Sequence, residues 1–163
     1  MRTIMDSPGT PASRTLTLER RVDAPSHTLW RAWTEPELLK VWFTPRPWTV
    51  SRAELDVRPG GSNLVVMRSP EGEEFPNRGV YLEVVPGRRL VMTDAYVSAW
   101  EPSEKPFMTA TIEFLPEGAG TLYRARVTHW SEADRESHEK MGFHEGWGRA
   151  TDQLVALVAT LGD

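Results

Sequence analysis

The chain is predicted to fold as an α+β domain in which a curved antiparallel β-sheet wraps around one long C-terminal helix. Three observations lead there. Residues 48–130 break into about six short strand-like segments whose connections are short enough for hairpins, whereas parallel pairing needs crossovers of a dozen or more residues. Phe143, Trp147, Ala150, Leu154, Leu157 or Val158, and Leu161 recur at spacings of three or four, which makes a continuous apolar helical stripe. An antiparallel sheet with an apolar face must be covered, and this helix is the only element large enough.

The elements follow in order. In residues 15–23, TLTLERRVD, Leu16, Leu18 and Val22 alternate and Arg20 interrupts the row, as in a half-buried strand. Ala24-Pro25-Ser26 opens a helix, because the fixed φ of proline suits a first turn. Leu29, Trp30, Ala32 and Trp33 give that helix a bulky apolar side. Glu35-Pro36 starts a second short helix with Leu38, Leu39, Trp42 and Phe43, and Pro45 and Pro47 end it. The strands are placed at 48–57, 62–68, 75–85, 89–97, 107–115 and 121–130, separated by Pro- and Gly-rich turns. Ser131 with Asp134 three residues on resembles a capping box for the closing helical region.

Composition narrows the function classes. A chain of 163 residues is read as one domain over residues 14–163, after a loose, disordered tail at 1–13 rich in Pro, Gly and Ser. Such a domain buries about 70% of its unfolded surface and has room for an internal cavity. The net charge of -4 and pI near 5.6 argue against nucleic acid as the main partner. The absence of cysteine removes thiol nucleophiles, disulfides and thiolate metal sites, and suits the cytoplasm. No signal peptide and no membrane span are expected.

The stretch HEKMGFHEGWGRATDQLVALVATL, from His138 to Leu161, invites three readings. A zinc hydrolase helix needs His-Glu-x-x-His. His138-Glu139 and His144-Glu145 both begin that motif, but Gly142 and Gly148 stand where the second histidine belongs. No metal is therefore expected, and His138 and Glu139 are read as solvated. Gly146-x-Gly148 lacks the preceding strand and βαβ context of a nucleotide loop, so no nucleotide or other cofactor is expected. The third reading is structural. Gly142 and Gly146 lie four apart on one helix face, where missing side chains leave a hollow beside Phe143 and Trp147 or admit another backbone. Alternatively, the helix starts later than its stripe.

Taken together, these segments resemble a known family. Its N-terminal signature is matched by Ala24-Pro25, by Leu29-Trp30-Arg31-Ala32-Trp33-Thr34, by Glu35-Pro36-Glu37-Leu38-Leu39, and by Trp42-Phe43. Asp56-Val57-Arg58-Pro59-Gly60-Gly61 resembles its central hairpin, and Gly79-Val80-Tyr81-Leu82-Glu83 with Pro86 and Arg89-Leu90-Val91 resembles the next strand pair. Met141-Gly142-Phe143, Gly146-Trp147 and Asp152-Gln153-Leu154 resemble the start of its closing helix. The family is named after the activator of the ninety-kilodalton heat-shock chaperone's ATPase, within the START-like (SRPBCC) superfamily. The resemblance covers about residues 15–161 and implies a helix-grip fold with a deep pocket between sheet and helix. Superfamily members bind lipids, sterols, polyketides or plant hormones, and some catalyse cyclisation or hydrolysis.

Binding of a small apolar or amphipathic molecule, without turnover, is the function the residues favour. Seven Trp in one small domain is unusually rich, and Trp42, Phe43 and Trp48 sit beside prolines at a helix end, a natural pocket rim. Met67, Tyr81, Met92, Asp94, Met108, Phe143 and Trp147 complete the candidate cavity wall. A cyclase- or hydrolase-type enzyme using the same cavity is the alternative, with Asp94 facing inward and paired to Arg124 or Arg126. No catalytic residue is assigned. A chaperone partner, which the family's name suggests, is not expected from a single domain without a partner-binding extension. A homodimer is compatible with the sequence.

Overall fold

The computed structural model describes residues 11–161. Of the predicted tail, residues 1–10 lie outside that range, while Ala12–Arg14 forms a 3-10 turn. Thirteen elements follow: β1 (Thr15–Val22), α1 (Ser26–Thr34), α2 (Pro36–Trp42), β2 (Thr49–Leu55), β3 (Ser62–Arg68), β4 (Glu74–Val85), β5 (Arg89–Thr93), β6 (Tyr96–Ser98), β7 (Glu101–Pro102), β8 (Met108–Glu117), β9 (Gly120–His129), α3 (Glu132–Lys140) and α4 (Phe143–Val158). Seven strands make one antiparallel sheet in the order β1-β9-β8-β5-β4-β3-β2, and β6 and β7 make a separate small hairpin. Register shifts between Val50 and Arg52 and between Tyr81 and Glu83 put bulges into β2 and β4, which bends and twists those strands.

The concave face holds the core. Ile112, Phe114, Tyr123, Ala125 and Val127 are almost fully buried, in one cluster with Leu29, Ala32 and Trp33 of α1 and with Phe143, Ala150, Leu154 and Val158 of α4. The α4 stripe thus covers the sheet as its period demands. Gln153 fastens the helices together: its Nε2 donates to the carbonyls of Trp42 at 3.0 Å and Thr44 at 2.7 Å, where α2 leaves its last carbonyls free. Its Oε1 accepts from the Arg46 N–H at 3.0 Å.

On the convex face, Glu113 receives Arg126 at 3.0 Å, Arg124 at 3.4 Å and Arg89 at 3.8 Å. This corrects the inward Asp94–Arg pair considered from sequence. Arg124 and Arg126 register with Glu113 and Thr111, whereas the core residues Tyr123, Ala125 and Val127 point the other way, as strand alternation requires.

The closing helix also differs from expectation. It is two helices, because Gly142 adopts φ 99°, a left-handed conformation that stops α3 and resets the chain before α4. Ser131 does cap α3, accepting from the Asp134 N–H at 3.1 Å. Gly142 and Gly146 therefore do not form one helical stripe, and no neighbouring atom lies within 4 Å of where a Cβ on either would stand. Likewise, the strand placed at 89–97 ends at Thr93, where the chain leaves the sheet for the β6–β7 hairpin.

Candidate functional site

Between the sheet and α4 lies a cavity of about 710 Å³, within the range usual for small-molecule sites. Trp33 and Leu39 of the first two helices, Phe43 just after them, and Trp147 of α4 form one wall. Val65, Met67, Tyr81, Met92, Met108 and Ala110 line the sheet side. The β6–β7 hairpin stands beside the mouth, with Val97 and Ser103 against the cavity and Glu101, Glu104 and Lys105 exposed.

Seven of the ten candidates read from sequence line this space: Phe43, Met67, Tyr81, Met92, Asp94, Met108 and Trp147. The other three do not. Trp42 is only 3% exposed and belongs to the core; its indole N–H donates to the Ala32 carbonyl at 3.0 Å, and its ring meets Trp33 at 5.0 Å. Trp48 is exposed and pairs with Phe75 at 5.5 Å near the β3–β4 turn. Phe143 is buried one turn from Trp147, which it meets at 5.2 Å.

Asp94 faces the cavity but is occupied with holding the chain. Its Oδ1 accepts from the backbone N–H of Phe107 at 2.8 Å and of Met108 at 3.1 Å, which clasps the two ends of the hairpin excursion together. The Tyr81 hydroxyl is pushed up in pKa by burial and then by Asp56, so at neutral pH it remains a protonated donor.

The sequence pattern of the family described as "Activator of Hsp90 ATPase homolog 1-like protein" matches residues 23–159. The chain belongs to this family. Within the activator-homologue fold, a solved structure similar to it is protein NE0264 from Nitrosomonas europaea, 45% identical, with TM-score 0.88, covering 92% of this chain and 97% of that one. Protein CV1439 from Chromobacterium violaceum is 28% identical with TM-score 0.72, over 89% of this chain and 96% of that one. An AHSA1-like protein from Aeromonas hydrophila, 17% identical with TM-score 0.68, covers 89% and 92% of the two chains and shows the shared fold alone. No curated protein matches the chain. Among the residues that carry the resemblance read from sequence, Trp33 and Phe43 wall the cavity, and Gln153 ties α4 to the end of α2.

Sequence reasoning missed several wall residues, notably Trp33, Asn63, Ala110 and Ser103. It also missed a histidine pair. His129 is fully buried at the end of β9, and its Nδ1–H donates to the Arg14 carbonyl at 2.9 Å. Its Nε2 lies 2.8 Å from the Nδ1 of His138, so the two rings share a hydrogen bond. So His138 is not solvated as predicted; it is half-buried, with Phe107 and Phe143 each at 5.1 Å. Glu139 is exposed, and it accepts from His144 at 3.1 Å and Arg135 at 2.7 Å. Among the described residues no three His, Asp or Glu side chains gather as a metal set would, and no helix is long and apolar enough to cross a membrane.

The histidine pair makes stability depend on pH. Burial, and then the neighbouring His129, hold the His138 imidazole at about 4, below its ordinary 6.5. Between those values the unfolded chain takes up a proton that the folded chain refuses. Stability is therefore lost as pH falls from about 6.5 towards about 4, and this loss saturates below that window. Solvent screening at this half-buried position limits the effect to on the order of 1–2 kcal/mol. The Glu139 carboxyl is held below its ordinary 4.5, first by the His144 hydrogen bond, so its own loss begins at lower pH. Urea midpoints at about pH 7 and about pH 5 should fall less for His138→Gln than for the native chain. Equal falls would remove His138 as the cause.

Proposed function

We propose that the protein binds a small apolar or amphipathic molecule in the cavity between sheet and α4, without transforming it, in the cytoplasm. The observation that carries this reading is the 710 Å³ space walled by Trp33, Phe43, Met92, Met108 and Trp147. Interiors of this kind are otherwise packed to crystal-like density. The one carboxylate on the sheet side, Asp94, already accepts two backbone hydrogen bonds, which speaks for a holding role rather than proton transfer. Burying about 200 Å² of apolar ligand area contributes on the order of 5 kcal/mol. Lost motion and desolvation reduce this, so affinity near micromolar is expected.

The test is a titration of apolar and flat aromatic compounds followed by tryptophan emission. Trp33 and Trp147 line the cavity, and Trp48 does not. The emission change should persist in Trp48→Phe and shrink in Trp147→Phe. Ala110 lies on the cavity wall and is buried. Filling the space through Ala110→Phe should weaken binding by about tenfold or more, as overlap with a ligand implies. If no compound changes the emission, and native mass spectrometry of freshly purified protein finds no bound molecule, the reading fails.

A further inference from the structure

Five buried side-chain nitrogens and oxygens among the described residues lack a hydrogen bond. Three are guanidinium Nε atoms already accounted for: the Arg14 group is held through its terminal nitrogen by the His129 carbonyl, and the Arg89 and Arg124 Nε atoms themselves face the carboxylates of Glu83 and Glu19 in ion pairs. The remaining two are Asn63 Nδ2 and Ser103 Oγ, and both residues line the same cavity. Asn63 stands on β3 on the same face as Val65 and Met67, and Ser103 follows β7 at the hairpin end. Buried polar groups are nearly always paired, so two orphans lining one cavity call for a partner.

The surrounding charge limits what that partner is. Asp94, Glu101 and Glu104 line the cavity or its mouth, against one lysine, the exposed Lys105. Arg78 is also at the border, but it registers with Leu64, so its side chain stands on the sheet face opposite Asn63. Among the described residues the cavity and its mouth thus carry more carboxylates than cations, which disfavours a bound carboxylate. Resting on the ligand-binding reading above, we infer that the bound molecule carries an uncharged oxygen, a hydroxyl or a carbonyl, which Asn63 and Ser103 hold while its apolar body fills the cavity. The Asn63 amide donates to that oxygen, and the Ser103 hydroxyl donates or accepts according to which group it meets.

Three probes of one shape separate the possibilities: biphenyl, para-phenylphenol and para-phenylbenzoate, each competing against the neutral dye Nile red. The phenol should bind native protein about five- to tenfold more tightly than biphenyl, as one or two neutral hydrogen bonds provide. The benzoate should bind less tightly than the phenol. In Ser103→Ala and Asn63→Leu the advantage of the phenol should shrink towards unity, while biphenyl keeps its affinity. Ser103→Ala carries the test alone if Asn63→Leu does not fold. The inference is overturned if the benzoate binds most tightly, if the phenol has no advantage over biphenyl in the native protein, or if it keeps its advantage in the variants. Biphenyl displacing the dye in either case would leave the cavity reading standing. Failure of all three probes to displace it would sink both.

Discussion

Phe114→Ala should destabilise the protein by about 3–5 kcal/mol, the usual cost of emptying a buried aromatic site. Phe114 is 0% exposed at the middle of the concave face. The Trp30 ring of α1 meets it edge-on at 5.9 Å, and Tyr123 lies 6.1 Å away on the neighbouring strand. Tyr123 does not swing in to fill the space, because it is itself held by the Trp33 indole N–H at 3.2 Å. For a chain of this size the loss corresponds to roughly 10 °C in melting temperature. Urea unfolding should show a lower midpoint with an unchanged slope. Phe75→Ala is the control: that ring is 45% exposed, and its removal should cost less than about 1 kcal/mol. Equal losses at the two sites would mean that helix–sheet packing does not centre on Phe114.

The second large effect belongs to the turn between β2 and β3. A Cβ on Gly61 would lie inside the carbonyl oxygen of Asp56 and 3.0 Å from the carbonyl oxygen of Arg58. Both are backbone atoms, so neither moves aside without opening the turn. The same turn is stitched to β4, since the Tyr81 N–H donates to the Gly61 carbonyl at 2.9 Å and the Gly60 N–H to the Tyr81 carbonyl at 2.8 Å. Gly61→Ala should therefore cost at least about 3 kcal/mol, in the range reserved for forced backbone displacement. It should also weaken ligand binding, because Tyr81 stands on the cavity wall. Gly118→Ala, with nothing within 4 Å of its Cβ position, isolates the cost of a left-handed glycine alone. A Gly61→Ala loss no larger than that would show that the turn relaxes easily.

The sheet was legible because its punctuation is chemical. Pro86-Gly87 and Pro116-Glu117-Gly118-Ala119-Gly120 interrupt alternating runs, and the β4–β5 and β8–β9 turns fall there. The α4 stripe was legible for the same reason, as its period admits one buried face. The break before it was not. A glycine inside or beside an apolar stripe looks alike whether it is helical or left-handed, and α3 contributes no buried residue to mark its own phase. The cavity was half legible. Met67, Met92 and Met108 follow from strand alternation, whereas Asn63 and Ser103 are polar types that a sequence assigns to the surface. Trp48 looked like a pocket rim because it is aromatic and near proline, but tertiary pairing with Phe75 decided its place. The task of Asp94 was hidden altogether, since its partners are backbone N–H groups 13 and 14 residues away.

The strand order has a consequence for how the chain is made. At one edge of the sheet, β1 has a single neighbour, β9, and the residues they bring together lie about a hundred positions apart, as in the Thr15–Thr128 hydroxyl contact, separated by 113. During synthesis β1 therefore leaves the ribosome long before anything exists for it to pair with. At about 5–20 residues per second, that wait is on the order of ten seconds. Throughout it Leu16 and Val22, later buried, have no native sheet partner. The strand translated early is thus among the last to find its place, and the interval before β9 emerges is when this chain has most need of protection from aggregation.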